Sequence, residues 1–478
     1  MRETFRFWGY GPDVFRRVVG RDGPIVPTRS EQPTAIFGRV ELHPDLASRC
    51  GPLVAECAPG WLTWLIVDRA KPCPSKGEPV AWITTEQGLR RTLIVRDAAN
   101  SYHFEFDLDR SLTFLQHERY FRHDPPAYVR MGINPGRLPG WVRRFGFGTL
   151  NVVRKLRGPK GPMFPVTPHD PSVDVWRYVV RSFVENATDA QVVPLWPDGK
   201  AYAITLSHDV DTDYAFRHPG ALAAFRGIEE TVGMRSAWMI VTKFLPAGRE
   251  ALGELVRVGH EIGFHGTRHD HKLAFLSPER MAGRIREGRK RLGPFAAVGF
   301  RSPNYLRTPT LYNSLSGRFE YDMSMHDVVG DASGLRRANE GCCTCLPFFV
   351  DGTDVLEIPT TVPEDWEFEL RGVLPRDALS AQISAVGRIK SLGGVANVLT
   401  HPDPGLSLRG PWLELYRSLL DRLRNDNDAW FALPRDVNRH WRERQRRIDA
   451  VWRAVPSAPS TAHGPHARAV GMNASSAA

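Results

Sequence analysis

From Trp196 onward the chain alternates short apolar runs with helical stretches, and this alternation restricts the fold more than any other feature. Runs at 201–207, 236–241, 261–264, 296–300, 319–322, 355–358, 395–399 and 430–433 read as strands. Helical patterns at 215–232, 249–258, 278–292, 378–392 and 412–424 separate or follow them. Strand–helix–strand order places neighbouring strands parallel, with helices covering the sheet. About eight strands in roughly 240 residues are enough to close a barrel. The expectation is an α/β fold, with a (β/α) barrel over 196–445.

The flanks differ in texture. Residues 1–195 mix short apolar runs (34–40, 80–83, 91–95, 102–106) with many Gly and Pro turns and helical stretches near 111–121 and 172–186. They read as an N-terminal α+β accessory domain. Residues 446–478 are basic and then rich in Ala and Ser, and are expected to form a disordered tail. A chain of 478 residues exceeds one ordinary core, so several units are expected.

Composition excludes several classes. No run approaches the ~18 apolar residues of a membrane span; the apolar peak at 61–67 is far too short. The first residues, MRETFRFWGYGPDVF, lack an apolar core and a small-residue cleavage site, so a cytoplasmic location is expected. Six cysteines are too few for a disulfide framework, and Cys342, Cys343 and Cys345 lack a second cluster for a zinc site, so buried thiols are expected. The formal charge of +10 comes largely from short basic runs such as Arg154-Lys155-Leu156-Arg157 and 442–447. No nucleic-acid motif accompanies them, so solvated faces are the reading, with peripheral attraction to anionic surfaces as a secondary one.

Polar residues gather just past the strand ends, the end at which barrels of this kind do their chemistry. Ser207-His208-Asp209-Val210-Asp211 follows the first strand. Carboxylates at i and i+2 aim the same way if the strand persists, so one could hold a metal while the other acts as a base. His265 and His269 follow the third strand, four residues apart, a bite suited to a divalent ion, with Asp270 and His271 as possible supports. Arg301, Ser302, Pro303, Asn304 and Tyr305 follow the fourth strand. Tyr321 to Ser324 form the next group, and Leu399-Thr400-His401 the last.

This order of motifs resembles the polysaccharide deacetylase family (carbohydrate esterase family 4) across 196–445. The string GHEIGFH at 259–265, with His269 beyond it, resembles that family's metal-binding motif. FRSPNY at 300–305 resembles the motif whose arginine holds the catalytic aspartate, here Arg301. YDMS at 321–324 resembles the one that places an aspartate, Asp322, beside the catalytic histidine. LTH at 399–401 resembles the last, with His401 as general acid and Leu399 lining the acetyl pocket. LEIPTT at 356–361 and the lead-in from FPVTPHDP to LWPDG are similar to segments of family members.

The resemblance implies a distorted barrel of the polysaccharide-deacetylase type. It implies a divalent metal ion, zinc, on Asp211, His265 and His269, with Asp209 as base. Asn304, Tyr305 and Leu399 would contact an N-acetylated carbohydrate. The family's usual adjacent aspartates are replaced here by Asp-Val-Asp, so a rival alignment makes Asp209 the ligand and puts His208 in the base position. The fourth motif lacks its tryptophan, with His326 or Asp327 nearby, and Asn304 replaces an aromatic residue. Two further readings stay open: another C–N hydrolase, of deformylase or cyclic-amide/ureide type, and a carbohydrate-binding protein without turnover.

Overall fold

The computed structural model describes residues 25–26, 32–57, 60–69, 76–98, 102–132, 172–187, 194–327, 341–371 and 373–454. The basic runs at 143–157 and the tail from 455 lie outside them. Two sheets organise the described residues.

The first sheet comprises β1 (Ile25–Val26), β2 (Pro33–Leu42), β3 (Trp61–Asp68), β4 (Glu78–Thr85), β5 (Arg90–Arg96) and β6 (Tyr102–Phe104), in the order β1-β6-β5-β4-β2-β3. It is antiparallel except for the β1–β6 pair. The helices Leu108–Gln116 and Ser172–Ala187 pack on it, and Trp61, Leu65, Phe106, Leu112 and Trp176 share one buried cluster. β3 was not expected as a strand: WLTWLIV is apolar on both faces, so it shows no period-two signal.

The second sheet comprises β7 (Tyr202–Val210), β8 (Ala237–Ile240), β9 (Glu261–Phe264), β10 (Gly299–Phe300), β11 (Tyr321–Asp322), β12 (Phe348–Phe349), β13 (Leu356–Glu357), β14 (Val395–Thr400) and β15 (Ala429–Phe431). Its order is β12-β13-β11-β10-β9-β8-β7-β14, with β15 beside the start of β7. Every pairing is parallel except β12–β13. The curled sheet is a distorted (β/α) barrel. Between β13 and β14 no ladder forms; instead Thr361 Oγ1 donates to Val395 O at 2.6 Å and accepts from Asn397 N at 3.0 Å.

Strand alternation assigns the two faces. Ala203, Ala237, Met239, Tyr321, Met323, Leu356, Ile358 and Val395 fill the interior, with Trp196, Val437 and Trp441 in the same cluster. Ile204, Leu206, Trp238, Ile240, Ile262, Phe264, Phe300, Ala396 and Val398 face the surrounding helices. The interior is tight enough to require glycine: a Cβ on Gly263 would lie 2.2 Å from Met239 Sδ, and one on Gly299 2.1 Å from the Tyr321 ring.

The covering helices include Pro219–Thr231, Leu245–Arg257, Pro278–Leu292, Pro375–Leu392 and Gly410–Leu423, near the expected positions. The last helix, Pro434–Ala454, runs through 446–454, which had been assigned to the tail. Cys342, Cys343 and Cys345 are buried. Among the described residues, no helix is long and apolar enough to cross a membrane.

Candidate metal centre and catalytic site

β7 carries the alternation further than its apolar run suggested. It stays in the sheet to Val210, so Asp209 and then Asp211 follow Ala203 on the interior side, at the C-terminal mouth. His208 falls on the opposite face. Its Nδ1 meets Thr400 Oγ1 at 2.8 Å and its Nε2 meets Glu229 Oε1 at 2.6 Å, with the ring against Trp238. The histidine of the rival alignment is therefore locked behind the sheet.

Asp211 Oδ1 lies 3.1 Å from His265 Nε2 and 3.1 Å from His269 Nε2. The oxygen is buried yet makes no well-formed hydrogen bond. His265 Nδ1 is 2.9 Å from the Arg301 carbonyl, which can only accept, so Nδ1 carries a proton and Nε2 is the nitrogen turned toward Asp211. One carboxylate oxygen and two imidazole nitrogens thus converge on one point. The set of one carboxylate and two imidazoles fits a divalent metal with open positions. His271 Nε2 lies 3.3 Å from His269 Nδ1 and steadies that ring. Burial lowers the His271 pKa to about 4, keeping it neutral. Asp270, the other expected support, instead accepts from Arg284 Nη1 at 3.0 and 2.9 Å and from the Lys272 N–H at 3.2 Å.

Asp209 is nearly fully buried. Burial alone would raise its carboxyl pKa, but Arg301, with His265 and His401, outweighs this and holds it below the usual carboxylate value. Arg301 Nη1 donates to Asp209 Oδ1 at 2.8 Å, Nη2 to Ser207 Oγ at 3.0 Å and Nε to Met323 O at 3.1 Å. All three nitrogens are committed, so the guanidinium is fixed and fully buried.

His401 follows Leu399 on the inner side of β14; Leu399 is buried but belongs to neither apolar cluster flanking the sheet. The carboxylate on His401 is Asp365, at the start of the helix Asp365–Arg371: Oδ1 sits 2.7 Å from His401 Nδ1, and Oδ2 accepts the His401 backbone N–H at 2.9 Å and the Ser407 hydroxyl. Burial would strip the imidazolium of its proton, but Asp365 outweighs burial and holds the pKa well above the ordinary histidine value.

The expectation for Asp322 is corrected. Tyr321 and Met323 point inward, so Asp322 points outward, where it accepts from Ser324 Oγ at 2.6 Å and couples to buried Glu357. Burial pushes both carboxyls upward. The sequence reading did not single out Asp365: it lies in Pro363-Glu364-Asp365, at the start of a helix and eight residues beyond β13, where no strand end marks it.

Asn304 and Tyr305 lie in the turn after β10, both with φ of 54°. A left-handed aromatic residue is strained, and here the strain sits beside the site. Tyr305 Oη donates to Glu364 Oε2 at 2.8 Å, and burial pushes the Glu364 carboxyl up to about 8. Asn304 is exposed, with its Nδ2 donating to Tyr128 Oη at 3.0 Å. The Tyr305 N–H is committed to Ser302 O.

No known family profile matches the chain, and no curated protein matches it in sequence. Among solved structures it is similar to a protein named a polysaccharide deacetylase from Mycobacterium smegmatis, at 20% identity over 57% of this chain and 97% of that one, with a TM-score of 0.43. It is also similar to the Puue allantoinase, at 15% identity over 52% and 93% and TM-score 0.44. A third, named likewise a polysaccharide deacetylase, from Pseudomonas aeruginosa PAO1, is 16% identical over 53% and 95% with TM-score 0.43. At these values the likeness identifies neither activity nor substrate.

Proposed function

We propose that the chain is a metal-dependent hydrolase that removes N-acetyl groups from an acetylated carbohydrate. One observation carries the reading. Asp211, His265 and His269 converge on a single point, flanked by an ionised carboxylate, Asp209, and a protonated imidazole, His401. Two groups whose environments push their protonation states apart, at one mouth, are the mark of a base paired with an acid.

Asp211, His265 and His269 would hold the ion, zinc being suited to this donor set. A divalent cation there supplies a Lewis acid for the acetyl carbonyl and makes water more acidic. Asp209, fixed by Arg301, takes a proton from the attacking water. The backbone N–H of Asn304 is the proposed donor to the developing oxyanion, since its neighbour is occupied. His401, held by Asp365, gives its proton to the leaving nitrogen, releasing acetate and a free amine. Leu399 and Tyr305 shape the pocket for the acetyl methyl.

The test is acetate release from a panel of N-acetylated sugars and chitooligosaccharides, with formate and ammonia followed in parallel. Acetate supports the deacetylase reading. Formate or ammonia alone would keep the site and replace the substrate class. We place the enzyme in the cytoplasm, where a soluble or lipid-linked sugar precursor would be its substrate.

A further inference from the structure

The described residues that precede the barrel reach into its mouth. Glu118, in the turn after the helix Leu108–Gln116, is buried, and its carboxylate receives Arg307 Nε at 2.7 Å and Arg307 Nη2. Arg307 Nη1 donates to Tyr305 O at 2.9 Å and to Ser324 O at 3.2 Å. A desolvated, two-pronged ion pair of this kind locks the segment after Glu118 to the loop that carries Arg301, Asn304 and Tyr305.

Further along that segment, Tyr128 bridges two loops of the site. Its hydroxyl accepts from Asn304 Nδ2 at 3.0 Å, on the Arg301 loop. Its ring meets His271 edge-on at 5.6 Å, on the loop of the metal-ligand histidines, and His271 in turn touches His269. Tyr128 thus stands one side chain removed from the proposed ligand cluster. It is only partly buried, and Asn304 beside it is exposed.

We infer that Tyr128, with Asn304, forms a wall of the substrate site and determines specificity by carrying the sugar next to the acetylated one. This rests on the deacetylase reading above. A partly exposed phenol ring offers a flat apolar surface for the C–H face of a pyranose. An acetyl group small enough to fill only the Leu399 pocket does not reach this wall. The barrel supplies the chemistry and the preceding segment sets which glycans fit.

The experiment compares full-length wild type, Tyr128→Phe and Tyr128→Ala. Three things are measured: kcat and KM for acetate release from the N-acetylglucosamine tetramer, the same for 4-nitrophenyl acetate, and the Kd of the tetramer for the zinc-loaded protein. Tyr128→Ala should lose at least about tenfold more kcat/KM on the tetramer than on the nitrophenyl ester, mostly in KM, equivalent to about 1.4 kcal/mol of binding. Tyr128→Phe, which keeps the ring, should stay close to wild type on the tetramer. Equal losses on both substrates, or no loss on the tetramer, would overturn the inference. If wild type frees acetate from neither compound, the deacetylase reading has failed by itself, and tetramer binding decides the wall. Weaker binding to Tyr128→Ala than to Tyr128→Phe would support it, and equal binding would overturn it.

Discussion

Replacing Asp365 by Asn should move the alkaline limb of activity downward. His401 Nδ1 lies 2.7 Å from Asp365 Oδ1, with both side chains almost fully buried. Unit charges centred about 4 Å apart in an effective dielectric of about 20 attract by about 4 kcal/mol. An amide keeps part of the hydrogen bond but none of the charge, so most of this attraction is lost. The sign follows from the direction of the shift: Asp365 raises the His401 pKa, so removing its charge makes His401 release its proton at lower pH. Loss of the general acid should then cost tenfold to hundredfold or more in kcat near pH 8, within the range such groups contribute. The amide nitrogen would also face the His401 N–H, costing about 1–3 kcal/mol of stability. The pH profile of acetate release is the assay, with the His401 ring titrated by NMR as a readout independent of substrate. An alkaline limb and a ring pKa that both stay in place would refute the reasoning.

Three further outcomes follow from buried groups. Asp322→Asn should leave kcat within about threefold of wild type, because Asp322 faces away from the barrel interior and its coupled partner Glu357 favours a neutral neighbour; a loss as large as that of Asp365→Asn would restore Asp322 to the site. Arg307→Ala should lower stability by about 3–5 kcal/mol in denaturant melts, since it strands Glu118 in the interior, and Glu118→Gln in the same chain should recover part of it. Glu261, whose pKa burial raises from 4.5 to about 7, favours folding most below 4.5 and loses that contribution as pH rises through 7. Glu261→Gln should therefore gain up to about 3 kcal/mol relative to wild type above pH 7; equal melts there would show that Glu261 is not held neutral.

The barrel was legible because its strands are apolar runs separated by amphipathic helices, a signal independent of long-range contacts. Asp209, Asp211, His265, His269, Arg301 and His401 stand out in the sequence because each sits where a strand ends, and the fold brings them to one mouth. Asp322 misled because it follows a strand as they do; only the inward placement of Tyr321 and Met323 shows that it points the other way. The same parity argument, applied to Ala203 through Asp211, would have separated His208 from the two aspartates. Nothing local marks Glu118 or Tyr128: each acquires its role from a partner more than 140 residues away in the chain, and sequence periodicity carries no trace of such a pairing.

The most direct test is metal content with activity in the same samples. Wild type and Asp211→Ala are purified, equilibrated with zinc, freed of excess and analysed for bound metal and acetate release. The account predicts about one divalent ion per wild-type chain, with acetate released, and loss of both in the variant, since one carboxylate of a three-residue site is gone. A wild type that holds no ion, or an Asp211→Ala variant that binds and turns over as wild type does, would contradict it.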